Sequence, residues 1–127
     1  MAMVPGDMME ERNESACRAA RAMITARILE DKLRSLYKAG QIVGGVYLGR
    51  GQEALSGVLG TQLKQGSDVF APLIRDQAGR TGFGEDILDV TRTYLGSVEG
   101  PMRGRDGNIH RGRPEMGMPA MLSLIHI

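Results

Sequence analysis

The sequence predicts a mostly α-helical chain with one short strand and a long glycine- and arginine-rich loop. Three observations carry this. Apolar residues recur at three- and four-residue spacing through 22–37, 55–63 and 87–95, the period of a helix with one buried face. The apolar run 68–74 is short enough for a strand. Beyond Ser97 periodicity stops: residues 97–121 hold five Gly, three Pro and four Arg, the composition of a linker or a functional loop.

The first helix is read over residues 7–39. Asp7 followed by Glu10 fits a capping box, in which the first side chain accepts from an orphan amide and the second reaches back. Ala22, Ala26, Leu29, Leu33, Leu36 and Tyr37 form the apolar stripe, and Gly40 supplies the stop, since glycine takes the left-handed cap without a Cβ clash. Arg27, Glu30, Asp31, Lys32, Arg34 and Lys38 read as a solvated or subunit-facing surface, and Cys17 as a small apolar side chain. Residues 41–50 form a glycine-punctuated loop or irregular strand. A second helix spans 52–63, with Leu55, Val58, Leu59 and Leu63 inward and Glu53, Gly57 and Gly60 on another face. Two glycines inside one helix cost about 1 kcal/mol each, and close approach of another backbone explains them. Residues 68–74 are a buried strand or extended entry. Arg75–Gly82 is a small helix. Glu85–Leu95 is another, with Ile87, Leu88, Thr91, Tyr94 and Leu95 inward and Gly96 at its end.

Composition sets outer bounds. The 127 residues carry 16 Lys+Arg against 15 Asp+Glu, 18 Gly, three Tyr, two Phe and no Trp. One domain fits that length, yet few large side chains are present to fill its core. A net charge of +1 provides no global field for nucleic acid or an anionic membrane. A single cysteine excludes a disulfide scaffold. No apolar run approaches a membrane span, and the amino terminus lacks the basic flank and apolar core of a signal peptide. The expectation is a cytoplasmic protein with no membrane partner. Two histidines sixteen residues apart and one thiol make no metal site, and no P-loop or dinucleotide fingerprint occurs.

The loop leaves three readings open. Arg103, Arg105, Arg111 and Arg113 alternate with glycines, as in segments that bind single-stranded RNA, although no aromatic is present for stacking. Alternatively, arginines and glycine amides capture a phosphate or carboxylate, with His110 where a proton must move. The third reading is a solvated loop with a structural histidine.

Four blocks stand in a specific order: Gly51-Gln52-Glu53-Ala54, then Ile74-Arg75-Asp76, then the helix ending Tyr94-Leu95-Gly96, then Gly100-Pro101 with Gly104-Arg105-Asp106-Gly107-Asn108-Ile109-His110. In this order, from about Met23 to Met121, the chain resembles the alpha subunit of thiamine diphosphate-dependent 2-oxo acid dehydrogenases. These are the E1 components of pyruvate, branched-chain 2-oxo acid and acetoin dehydrogenase complexes.

The resemblance implies an α/β thiamine diphosphate-binding fold for the intact protein, with this chain holding mainly its helical amino-terminal part. It implies oxidative decarboxylation of a 2-oxo acid, with the acyl unit passed to lipoamide on the lipoyl domain of E2. It implies thiamine diphosphate and Mg2+ as cofactors and an E1 beta subunit in an α2β2 heterotetramer, with no nucleic acid. Arg75 matches the arginine that contacts the cofactor diphosphate, where a guanidinium fork suits two phosphate oxygens. His110 matches the histidine near the thiazolium and substrate, Tyr47 falls near a position on the substrate side, and Glu53 belongs to the scaffold below. Where the family usually has tyrosine before the arginine and histidine two residues after it, this sequence has Ile74 and Gln77. Loss of the tyrosine hydroxyl removes a phosphate hydrogen bond, a net ~1 kcal/mol.

The family's Gly-Asp-Gly motif for magnesium and diphosphate does not occur before the chain stops. The last six residues, Leu122-Ser123-Leu124-Ile125-His126-Ile127, read as a translation of CTGTCTCTTATACACATC, a transposon end used to tag DNA. Residues 1–121 are accordingly expected to be the amino-terminal part of the thiamine diphosphate-binding domain, and 122–127 to be non-native. The competing account is a genuine apolar carboxy-terminal strand.

Overall fold

The structure, a computed structural model, describes residues 5–105 and 110–119. Its helices are α1 (Pro5–Lys38), α2 (Glu53–Gln62), α3 (Gln77–Phe83) and α4 (Ile87–Tyr94), followed by a 3-10 turn at Pro114–Met116. Helix α1, at 34 residues, is about 50 Å long, and the rest of the chain packs along it. Asp7 lies inside the first turn, not at the cap. The expected capping pair is therefore replaced by a carboxylate acting on the positive end of the helix dipole. The other end is as expected. Gly40 has φ +72°, its amide donates to the Tyr37 carbonyl, and the Gln41 amide donates to that of Leu36, the two bonds of a Schellman cap.

The stripe of α1 is buried at Ala19, Ala22, Ala26, Leu29 and Leu33, but Tyr37 at its end is 49% exposed. Leu29 and Leu33 join Ile42, Val90 and Tyr94 in one apolar core, flanked by Leu36 and Val46. A second core holds Phe70, Phe83 and Met118 with Leu63 against them, the two rings 5.6 Å apart and tilted.

Helix α2 is turned relative to expectation. Its buried residues are Glu53, Ser56, Gly57 and Gly60, while Leu55 is 78% exposed and Val58 and Leu59 are about half exposed. Backbone proximity is the reason. A Cβ on Gly60 would strike the Gly79 carbonyl, and one on Gly57 would lie 3.1 Å from the Met23 side chain. The Gly79 amide donates to Ser56 Oγ at 2.9 Å, so the contact also satisfies a buried polar group. Close packing of the α2 and α3 backbones admits only small residues, and the larger apolar ones go outward.

Residues 68–74 form no strand. The segment is extended, and its Phe70 amide donates to the Gly117 carbonyl at 2.9 Å. Among the described residues the only β pairing is an isolated bridge between Arg113 and Met118. Helix α3 begins two residues later than expected, because Asp76 turns the chain by accepting from the Leu73 amide at 2.8 Å. Helix α4 begins at Ile87, with the Asp86 carboxylate accepting from the Leu88 amide at 2.9 Å, an N-cap. It buries Asp89, Val90, Thr93 and Tyr94, whereas Ile87, Leu88 and Leu95 are exposed, against expectation. Cys17 is exposed as well.

Candidate functional site

Of the charged row of α1, Arg27, Asp31, Lys32, Arg34 and Lys38 are exposed as expected, whereas Glu30 is buried. Arg27 pairs with Glu53, Asp31 with Arg50, and the Glu30 carboxylate accepts from the Gly49 amide at 2.8 Å. One face of α1 therefore clamps residues 49–53, the segment containing Gly51-Gln52-Glu53-Ala54. The other oxygen of Glu53 accepts from the Gly51 amide at 2.7 Å, and these partners outweigh desolvation to hold its pKa below the usual carboxylate range. Glu30 differs. It is 2% exposed, its Oε2 has no hydrogen-bond partner, and burial, aided by the Glu53 charge, pushes its pKa up.

This clamp sets Gly49 against the next segment: a Cβ there would strike the Arg75 carbonyl oxygen, which also accepts from Gln52 Nε2 at 3.2 Å. Between these strands of chain lies a cleft of about 260 Å³ lined by Gln52, Leu55, Ser56, Leu73, Ile74, Arg75 and Asp76. Arg75 is exposed at its edge, and its guanidinium has no ion-pair partner among the described residues. Arg27, Arg50, Arg80, Arg92, Arg111 and Arg113 all have one. An arginine without a carboxylate partner, at the mouth of a cleft, is a donor set that fits the phosphate end of an anionic ligand. Tyr47 is 39% exposed, two residues before Gly49 on the same loop.

His110 does not line this cleft. It is exposed, but the adjacent Arg111 is 4% exposed. Arg111 donates from Nε and Nη2 to the two oxygens of Glu85, at 2.7 and 3.0 Å, and from Nη2 to Gln77 Oε1 at 2.6 Å. Arg80 adds bonds to Glu85 and to the Arg111 carbonyl, both at 3.3 Å. Among the described residues this buried cluster holds two guanidiniums against one carboxylate. Burial and the Arg111 charge together push the Arg80 pKa down to about 10. Burial also raises the Tyr94 hydroxyl pKa, with the Arg111 guanidinium 5.9 Å from that ring. Gln77, one of the departures from the family pattern, is thus the acceptor that seats Arg111.

Of the three predicted site residues, Arg75 lines the cleft; Tyr47 lies on the loop that Gly49 sets against the Arg75 carbonyl, and His110 precedes Arg111, which is bonded to Gln77 of α3. Two of the four loop arginines are engaged internally, Arg111 with Glu85 and Arg113 with Asp89; Arg103 and Arg105 are exposed. Sequence reasoning missed Glu30, Glu85 and Arg80 as interior groups. Glu85 carried a signal, since an acid just before the Asp86 cap is not needed for the helix. Asp106–Ile109 of the loop motif and the six terminal residues, 122–127, lie outside the described residues. No group of His, Cys, Asp and Glu among the described residues could hold a metal ion, and no helix among them is long and apolar enough to cross a membrane.

Comparison with known proteins finds similarity to alpha subunits of one enzyme. The chain is 31% identical over 97 residues to the pyruvate dehydrogenase E1 component subunit alpha-3, chloroplastic, of Oryza sativa subsp. japonica, covering 76% of this chain and 23% of that one. It is 33% identical over 97 residues to the corresponding Arabidopsis thaliana protein, covering 22% of it. Against the pyruvate dehydrogenase E1 component subunit alpha of Porphyra purpurea it is 33% identical over 89 residues, 69% of this chain and 25% of that one. No protein-family model matches the chain, and no solved structure matches it. The chain is thus similar over about three quarters of its length to these dehydrogenase subunits, and spans about a quarter of theirs.

Proposed function

We propose that residues 1–121 are the amino-terminal part of the alpha subunit of a thiamine diphosphate-dependent 2-oxo acid dehydrogenase, and that 122–127 are not native. The observation that carries this reading is the similarity over 97 residues to pyruvate dehydrogenase E1 alpha subunits; the unpaired Arg75 at its cleft supports it. In the intact protein this part joins an α/β fold, and the enzyme is an α2β2 assembly with an E1 beta subunit that serves the lipoyl domain of E2. The outward apolar residues of α2 suit a chain covered by further protein. A cytoplasmic setting belongs to the same proposal; the rice and Arabidopsis relatives are chloroplastic by name.

Thiamine diphosphate, with Mg2+, supplies the carbanion chemistry of decarboxylation when bound. Arg75 holds its diphosphate by a charge-assisted fork. His110 would stand on the substrate side, where its imidazole would orient the 2-oxo acid or exchange a proton with it. Tyr47 lines the substrate side, and Glu53 braces the loop beneath it. Arg75→Ala in the complete enzyme is expected to raise the thiamine diphosphate concentration needed for half-saturation; an unchanged value removes Arg75 from the site. Residues 1–121 alone are expected to show no calorimetric binding of thiamine diphosphate with magnesium, and micromolar binding would contradict that. Sequencing the genomic locus past codon 121 tests the terminus: continuation toward a Gly-Asp-Gly segment supports the reading, and a native stop after Ile127 overturns it. Exposed Arg103 and Arg105 favour one rival, a non-enzymatic RNA-binding loop, whose mark is single-stranded RNA binding that falls steeply with salt.

A further inference from the structure

His110 is exposed, yet the chain on its carboxy-terminal side is held more tightly than any surface loop requires. Arg111 is gripped through its side chain by Glu85 and Gln77 and through its carbonyl by Arg80. Two residues on, Arg113 pairs with Asp89, its amide donates to the Met118 carbonyl at 2.7 Å, and the Met118 amide donates back at 3.1 Å. Met118 itself is fully buried. None of these groups lines the Arg75 cleft, and the proposed chemistry does not use them.

A planar guanidinium held by both oxygens of one carboxylate has a single orientation. Its partners sit on α3 and at the start of α4, and α3 follows Arg75 by two residues. The peptide joining His110 to Arg111 therefore inherits a fixed position relative to the cleft. We propose that Arg111, seated on Glu85, Gln77 and Arg80, is a positioning residue for His110. This rests on the reading of His110 as a substrate-side group.

Arg111→Met tests it, because Arg80 and Glu85 then remain as an ion pair. In the full chain, hydrogen exchange at the Arg113 and Met118 amides is expected to quicken by about tenfold or more, with the Ala26, Leu29 and Leu33 amides unchanged. In the enzyme assembled with its beta subunit, kcat is expected to fall by about 10²-fold, the effect of misplacing a reacting group by about 1 Å. The half-saturating thiamine diphosphate concentration stays within the same order of magnitude, a split that general destabilisation would not produce. Should Arg111→Met also loosen α1, Arg111→Lys, which keeps the charge and loses the fork, provides the same comparison in a folded chain. Unchanged loop exchange overturns the anchor, and faster exchange with unchanged kcat overturns the positioning. A wild-type assembly that turns over no 2-oxo acid removes the functional reading instead, and the exchange result still decides the anchor.

Discussion

Two seams run through this molecule, built from opposite kinds of residue. Between α1 and α4, Leu29, Leu33, Val90 and Tyr94 meet in an apolar seam with Ile42, held by removal of hydrocarbon from water. Between α2 and α3 the meeting residues are Ser56, Gly57, Gly60 and Gly79, extended by the Arg80–Glu85–Arg111 cluster. That seam is held by backbone proximity and satisfied polar groups. An apolar seam tolerates shape change in proportion to volume lost, whereas a polar one fails when a single partner is removed.

The largest effect should come from the polar seam. Glu85→Gln removes the buried carboxylate that Arg80 and Arg111 share and is expected to cost about 3–5 kcal/mol, read from urea denaturation; a loss below that of a core truncation would mean water reaches the cluster. Leu33→Ala in the apolar seam is the reference, at about 2–5 kcal/mol. Gly60→Ala should cost about 1–3 kcal/mol by overpacking, although alanine favours helix. If it stabilises instead, the α2–α3 approach is looser than described.

Glu30 sharpens the comparison by pH. Its folded pKa lies above the ordinary value of 4.5, so the folded state binds its proton more tightly than the unfolded chain does. Its contribution is fully present below that value and is lost as pH rises through the raised pKa. Thermal melts from pH 4 upward should therefore show the wild type losing stability relative to Glu30→Gln as pH increases; parallel curves would remove Glu30 as a buried acid. The smallest effect is expected from Leu55→Ser on the outer face of α2, within about 0.5 kcal/mol in this chain. A larger loss would put Leu55 inside.

Helix α1 was legible because its stripe is long and its glycine cap is local chemistry. Helix α2 was not, because a period of apolar residues marks a face without saying which side the rest of the protein occupies. The same ambiguity misplaced Ile87, Leu88 and Leu95. The apolar run 68–74 has the composition of a strand, but among the described residues only its Phe70 amide bonds a backbone carbonyl far along the chain, that of Gly117. Arg75, Tyr47 and His110 were singled out through the family resemblance, yet nothing in it showed that Arg111 would be buried.

The sequence by itself determined the helices and the stop of the first at Gly40, since caps and periods act over a few residues. Tertiary structure alone decided that glycine and not leucine would line the α2 interface, that Glu30 and Glu85 would be interior, and that two loop arginines would be internal. Those outcomes depend on which backbones approach closely and on the cost of burying a charge without its partner. Both are properties of segments far apart in the chain.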